Sequence, residues 1–281
     1  DVMAFILFIH MIYRPIRQLA DRFNTLQMGM VAANRVFNVL DTHEHISDEG
    51  DNSSIEVKGN ISFKDVWFSY KPDAYVLKGV SFDVDKGQTL ALVGATGAGK
   101  SSIINVLTKF YEIKKGAILV DGININQFTL RHLRKVTAVV LQDVFLFDDS
   151  IINNITLNNP KITKEKVVEG AKLIGVHDFI MGLEGGYSYQ VRERGAVLSV
   201  GQRQLLAFLR AYVYDPQILI LDEATRSLDN STENEIIETL LKKKDELTII
   251  MISHKIENFK YCDTIIEIKD KSILIKENHK I

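Results

Sequence analysis

The sequence predicts an α/β fold built on a parallel core sheet, and three observations carry that reading. Short apolar runs alternate with segments of helical apolar spacing along most of the chain. A glycine-rich stretch, Gly94-Ala95-Thr96-Gly97-Ala98-Gly99-Lys100-Ser101, sits between the apolar run TLALV at 89–93 and a helically spaced segment at 102–110. The run QILIL at 217–221 contains no charged residue, as a strand buried on both faces requires, and it ends in Asp222 and Glu223.

The elements follow in order. Residues 2–13 (VMAFILFIHMIY) are almost wholly apolar, and the basic residues Arg14, Arg17 and Arg22 come after them. A signal peptide carries its charge on the other side. The run is shorter than the roughly 20 residues a membrane span needs, but Pro15, Ile16, Leu19 and Ala20 extend it. The expectation is a chain that begins inside a transmembrane segment, with the basic flank on the cytoplasmic side. A buried helix of a soluble protein is the alternative. Leu19, Phe23, Leu26, Met30, Ala33, Phe37 and Leu40 then recur at helical spacing. One helix over 2–40 would be about 58 Å long, roughly twice the hydrocarbon thickness, so it would continue into the cytoplasm, kinked at Pro15.

Residues 41–54 (DTHEHISDEGDNSS) are polar and acidic and read as a linker. His43 and His45 flank Glu44 there, and with no third ligand nearby they read as solvated side chains, not a metal site. Strand patterns follow at 55–57, 61–70, 76–84, 117–120, 137–141, 218–221, 248–252 and 264–268. Helical patterns lie at 103–111, 164–174, 201–214 and 232–244. The stretch 143–214 reads as nearly all helical, an inserted subdomain.

Composition narrows the function classes. A net charge of −2 leaves no basic excess, hence no electrostatic footprint for nucleic acid. Cys262 is the only cysteine, which excludes an internal disulfide framework and a cysteine-rich zinc site.

The glycine stretch has the chemistry of an anion cradle. Glycines 94, 97 and 99 let the backbone approach an anion without a Cβ in the way. Successive N–H groups and the following helix N-terminus then point at phosphates. Lys100 supplies a cation for the β- and γ-phosphates, the Ser101 hydroxyl can ligate Mg²⁺, and Ser102 follows on the same helix. At the end of the 217–221 strand, Asp222 is placed to hold Mg²⁺ or its waters, and Glu223 to take a proton from water.

With these residues in place, Leu198-Ser199-Val200-Gly201-Gln202 resembles the signature motif LSGGQ of the ATP-binding cassette (ABC) family. Gln142 in VVLQD is similar to that family's Q-loop, Ser227-Leu228-Asp229 to its D-loop, and His254 in MISHK to its switch histidine. Tyr70 in FSY stands where the family has an aromatic that stacks on adenine. Val200 departs from the pattern, which has a second glycine there. YQVRERG at 189–195 resembles the TEVGERG stretch of exporters that contacts transmembrane coupling helices: Val191, Glu193, Arg194 and Gly195 match, while Gln190 and Arg192 depart. The stretch 15–41 resembles the last transmembrane helix of bacterial exporters running into their nucleotide-binding domain.

The resemblance implies a P-loop NTPase (RecA-like) core with an antiparallel β subdomain and an inserted helical subdomain at about 143–214. It implies three parts: 1–40, a truncated last transmembrane helix with its cytoplasmic extension; 41–54, a linker; and 55–281, the nucleotide-binding domain. It further implies ATP and Mg²⁺ as ligands, with Ser101, Gln142 and Asp222 toward the metal. Lys100, Gln142, Glu223 and His254 would be catalytic. Tyr70, residues 94–102, Ser199, Gly201, Gln202 and Asp229 would face nucleotide, the last four on a partner's ATP. The implied partners are a second half-transporter, identical or not, membrane lipids and an exported lipid, drug or peptide. The implied location is the plasma (inner) membrane, multi-pass, with the nucleotide-binding domain in the cytoplasm. A soluble ABC-type ATPase without transport, and a non-catalytic cassette, are the alternatives.

Overall fold

The structure, a computed structural model, describes residues 2–42, 46–192, 195–253 and 256–277. His43, Glu44, His45, Glu193, Arg194 and His254 lie outside the described residues. The chain divides into two units, Asp1–His45 and Ile46–Ile281.

Among the described residues of the first unit there is one helix, α1 (Val2–Leu40), which continues through Pro15. Proline there removes one N–H from the ladder. The helix is long and apolar enough to cross a membrane. None of its side chains is buried, and Phe5, Leu7, Phe8 and Ile12 all stand exposed on it. A helix apolar on every side at one end needs an apolar surround.

In the second unit β1 (Ile61–Ser69) and β2 (Tyr75–Val84) pair antiparallel. β3 (Thr89–Val93) leads through the glycine loop into α2 (Lys100–Leu107). Next come β4 (Lys115–Val120), β5 (Ile123–Asn124), α3 (Leu130–Val136) and β6 (Thr137–Val140). The middle region holds β7 (Asp149–Ser150), α4 (Ile151–Thr156), α5 (Lys164–Ile174), α6 (His177–Met181), β8 (Gln190–Val191) and α7 (Val200–Val213). The last elements are β9 (Ile218–Asp222), α8 (Asn230–Leu241), β10 (Thr248–Ile252), β11 (Thr264–Lys269) and β12 (Ser272–Glu277).

These strands make an antiparallel sheet in the order β2-β1-β4-β5 and a central sheet in the order β12-β11-β3-β10-β9-β6. The central sheet is parallel except for β12. Because side chains alternate across a strand, β9 and β10 each feed two cores. Ile218 and Ile220 of β9 pack with Leu92, Phe63 and Ile103, between the central sheet, the antiparallel sheet and α2. Leu219 and Leu221 pack with Met251, Phe208 and Ile237, against α7 and α8 on the other face. That double burial is why the run carries no charge.

Several local expectations need correction. The helix expected at 103–111 is α2, which starts earlier and stops earlier. Gly99, left-handed at φ 115°, caps its start. The Thr108 hydroxyl donates to the Ile104 carbonyl at 2.8 Å and Lys109 turns to φ 54°, which ends it. The region 143–214 is not all helical, because β7 and β8 pair antiparallel within it. No strand forms at 55–57. His132 of α3 engages the Ile55 carbonyl through Nε2 at 2.8 Å instead.

That contact belongs to a strap. From Ile46 onward the acidic stretch is bonded to the domain. The Asp48 carboxylate accepts from the Leu130 amide at 2.7 Å, at the start of α3. Asn52 donates to the Gln127 carbonyl and accepts from the Thr129 amide, both at 3.0 Å.

Candidate functional site

The glycine loop leaves the C-terminal end of β3 and turns into α2. Gly94, Gly97 and Gly99 take φ of 147°, 80° and 115°, values that L side chains rarely adopt. The Ala98 amide donates to the Ala95 carbonyl at 3.1 Å, closing the turn. Residues 95–97 are exposed and a Cβ at Gly97 would meet nothing within 4 Å, so this side of the loop is open to a ligand. Lys100 is buried, 7% exposed, and its Nζ donates to the carbonyls of Gly94 at 2.8 Å and Ala95 at 3.1 Å. Its charge is thus held inside the loop by oxygen acceptors that phosphate oxygens can replace.

Asp222 closes β9, one strand removed from β3, with β10 between them. Ile252 of β10 pairs with Leu92 on one side and Asp222 on the other, so Asp222 sits level with the root of the glycine loop. Burial and the neighbouring Glu223 push its carboxyl above the usual range, against a hydrogen bond from Ser101 and the charge of Lys100. A carboxylate and a hydroxyl meeting beside a phosphate cradle are hard oxygen donors of the kind Mg²⁺ takes, with phosphates completing its shell. The donor set fits that ion.

Glu223 follows at φ 49°. The left-handed conformation costs a non-glycine residue about 1–2 kcal/mol. The turn is held by the Glu223 amide donating to the Ile252 carbonyl at 3.1 Å. The carboxylate is mostly buried, with Arg226 Nη1 at 3.4 Å. Gln142 lies exposed two residues beyond β6, the neighbour of β9 on the other side. Gln204 of α7, itself buried, donates to the carbonyl of Leu141 at 3.2 Å and so anchors the residue before it. The glycine loop, Ser101, Asp222, Glu223 and Gln142 therefore share one end of the parallel sheet, where ligands bind in such folds.

The signature segment forms the start of α7. Ser199 is the N-cap: its hydroxyl accepts from the Gln202 amide at 3.1 Å, and the Gln202 side chain accepts from the Ser199 amide at 2.8 Å. The helix begins at Val200, which is half exposed and does not take a positive φ, so no glycine is required there. Gly201 packs close to the Ser227 carbonyl, 3.2 Å from where its Cβ would lie. Asp229 caps α8, accepting from the Thr232 amide at 3.0 Å and hydroxyl at 2.8 Å, and the backbone bond to Thr232 holds its carboxyl below the usual range.

Tyr70 follows β1 directly and is 47% exposed. Its hydroxyl accepts from Asn105 Nδ2 at 2.9 Å and lies 3.1 Å from the Ser102 hydroxyl. Asn105, Arg226 and Gln204 were not singled out by sequence. Asn105 carried one usable signal, since it stands three residues after Ser102 and so shares its helix face.

The ABC transporter family profile matches residues 77–226. The chain is similar to the uncharacterized ABC transporter ATP-binding protein YknV of Bacillus subtilis (strain 168), 40% identical over 280 residues, 98% of this chain and 46% of that protein. It is also similar to the ATP-dependent lipid A-core flippase of Mannheimia succiniciproducens, 40% identical over 269 residues, 95% of this chain and 46% of that protein. Among solved structures, a bacterial Atm1-family ABC exporter with ATP bound superposes with a TM-score of 0.82 at 34% identity, over 95% of this chain and 47% of that one. The chain spans about half the length of these relatives.

Proposed function

This chain belongs to the ABC transporter family, and from that premise we propose that residues 55–281 bind ATP and hydrolyse it to ADP and phosphate to drive a membrane exporter. The similarity to a lipid A-core flippase and to an ATP-bound exporter supports export of a lipid, drug or peptide. In this reading 1–40 is the last transmembrane helix with its cytoplasmic extension, and 41–54 joins it to the nucleotide-binding domain. The location is the plasma (inner) membrane, with that domain in the cytoplasm.

The amides of the glycine loop and the N-terminus of α2 receive the phosphates, and Lys100 exchanges its two carbonyl partners for β- and γ-phosphate oxygens. Ser101, Gln142 and Asp222 would hold Mg²⁺, directly or through water, and the ion would supply charge neutralisation on those oxygens. Glu223 takes a proton from water as the water oxygen bonds to the γ-phosphorus and the bond to the β–γ bridging oxygen breaks. The proton then passes from Glu223 to solvent. His254 contacts the γ-phosphate. Tyr70 stacks on adenine. Ser199, Gly201 and Gln202 close over ATP held by the loop of a second half-transporter, and Asp229 lies at that junction.

The observation that carries this reading is the Ser101–Asp222 contact beside the open loop, with Glu223 turned out of the strand next to it. Glu223→Gln tests it. In detergent with saturating ATP and Mg²⁺, hydrolysis falls by about 10²–10⁴-fold, while ATP stays bound and size-exclusion chromatography shows a dimer. Turnover near the wild-type rate, or monomer alone, would overturn the assignment.

A further inference from the structure

The aromatic platform for the base is not a free side chain. Tyr70 is fastened at its hydroxyl to the same helix that opens the phosphate loop, through Asn105 at 2.9 Å and Ser102 at 3.1 Å. Two rings flank it nearly perpendicularly: Phe68 at 4.7 Å and 80°, and Tyr111 at 5.0 Å and 87° between ring centroids and planes. Phe68 is fully buried, whereas Tyr111 stands half exposed just beyond the end of α2. The ring's orientation is therefore set at both ends, the hydroxyl by α2 and the ring body by the aromatic neighbours. An exposed tyrosine after a strand end would otherwise sample several rotamers, and freezing one on binding costs affinity.

We infer that Asn105 is a positioning residue for the nucleobase: with Ser102 it locks Tyr70 at a set distance from the phosphate loop, so the stacking platform is formed before ATP arrives. This rests on the reading that Tyr70 stacks on adenine. Two consequences separate it from a general role of Asn105 in folding. Loss of the tether weakens ligands that carry a base and leaves base-free polyphosphate unaffected. It also acts as uniform binding, raising KM without lowering kcat.

Equilibrium binding of Mg·ATP and of inorganic tripolyphosphate is measured on the chain in detergent for Asn105→Ala, Tyr70→Phe, the double variant and Tyr70→Ala. One hydrogen bond's worth of preorganisation predicts that Asn105→Ala and Tyr70→Phe each weaken ATP about three- to tenfold. The double variant is no weaker than Tyr70→Phe alone, because Tyr70→Phe already removes the bond that Asn105→Ala deletes, together with the Ser102 contact. Tripolyphosphate affinity is unchanged in all of them, which also shows that the loop has folded. Tyr70→Ala loses the stacked ring and weakens ATP about fivefold to a hundredfold. Wild-type ATP affinity in Asn105→Ala and Tyr70→Phe, beside a loss in Tyr70→Ala, overturns the positioning role and leaves the stacking reading standing. Wild-type affinity in Tyr70→Ala overturns the stacking reading itself. A parallel loss of tripolyphosphate in Asn105→Ala overturns the inference too, since Asn105 would then act through the phosphate helix.

Discussion

Two glycines of the phosphate loop separate folding from binding. At Gly94 φ is 147°, and a Cβ would stand 2.6 Å from the Ile268 carbonyl oxygen on the neighbouring β11. Alanine there incurs about 1–3 kcal/mol for the conformation and a further 1–3 kcal/mol or so for the overlap, because a backbone oxygen in a parallel sheet cannot swing aside. At Gly97 φ is 80° with nothing within 4 Å, so alanine incurs only about 1–2 kcal/mol. For a domain of this size each kcal/mol moves the unfolding midpoint by about 2–4 °C. Gly94→Ala therefore lowers the midpoint by on the order of 10 °C, and Gly97→Ala by roughly half that or less. The order reverses for ligand. The Gly97 methyl points into the open side of the loop, where phosphates approach, so folded Gly97→Ala binds ATP the more weakly of the two. Thermal denaturation without nucleotide and calorimetric ATP titration read the two effects. Equal midpoints for the two variants, or wild-type ATP affinity in Gly97→Ala, would refute the assignment of one glycine to packing and the other to the ligand.

Asp222 links acidity to stability with a definite sign. Its carboxyl is raised, chiefly by burial and then by Glu223, so at neutral pH its charge weighs against folding, and the penalty is relieved as pH falls through the folded-state value. Asp222→Asn accordingly raises the unliganded midpoint at pH 7, with the gain gone below about pH 4, and lowers Mg²⁺-dependent hydrolysis by about 10²-fold or more; a lower midpoint at pH 7 contradicts it. Ser199→Ala removes the capping hydroxyl of α7 and destabilises by about 1 kcal/mol, whereas Ser199→Thr keeps the acceptor and the midpoint. Equal melting of the two would show that the cap contributes nothing.

The phosphate loop was legible because its backbone demands glycine at fixed offsets, and the 217–221 strand because both of its faces are buried. Other parts left no such trace. Glu223 is left-handed at φ 49° although nothing in the letters around it suggests a turn; the bond from its amide to Ile252 imposes that conformation from another strand. β12 escaped notice because SILIKE is short, charged near its end and sits at the sheet edge. The strap reads as polar linker because its order comes from Asp48 and Asn52 bonding to backbone, and such bonds have no periodicity. Tyr70 was legible as an aromatic, but its fastening was not. Asn105 reaches it from a helix thirty-five positions away, a separation that no local pattern spans.

The strap gives the domain a mechanical handle. A flexible tether would dissipate any displacement of residue 46 as slack. Here the pull falls on the first turn of α3, through Asp48, Asn52 and His132. α3 passes without an intervening loop into β6, whose far end leads to Gln142. Residue 46 is thus joined to the rim of the site by bonded strap, one helix and one strand, with no free loop between them.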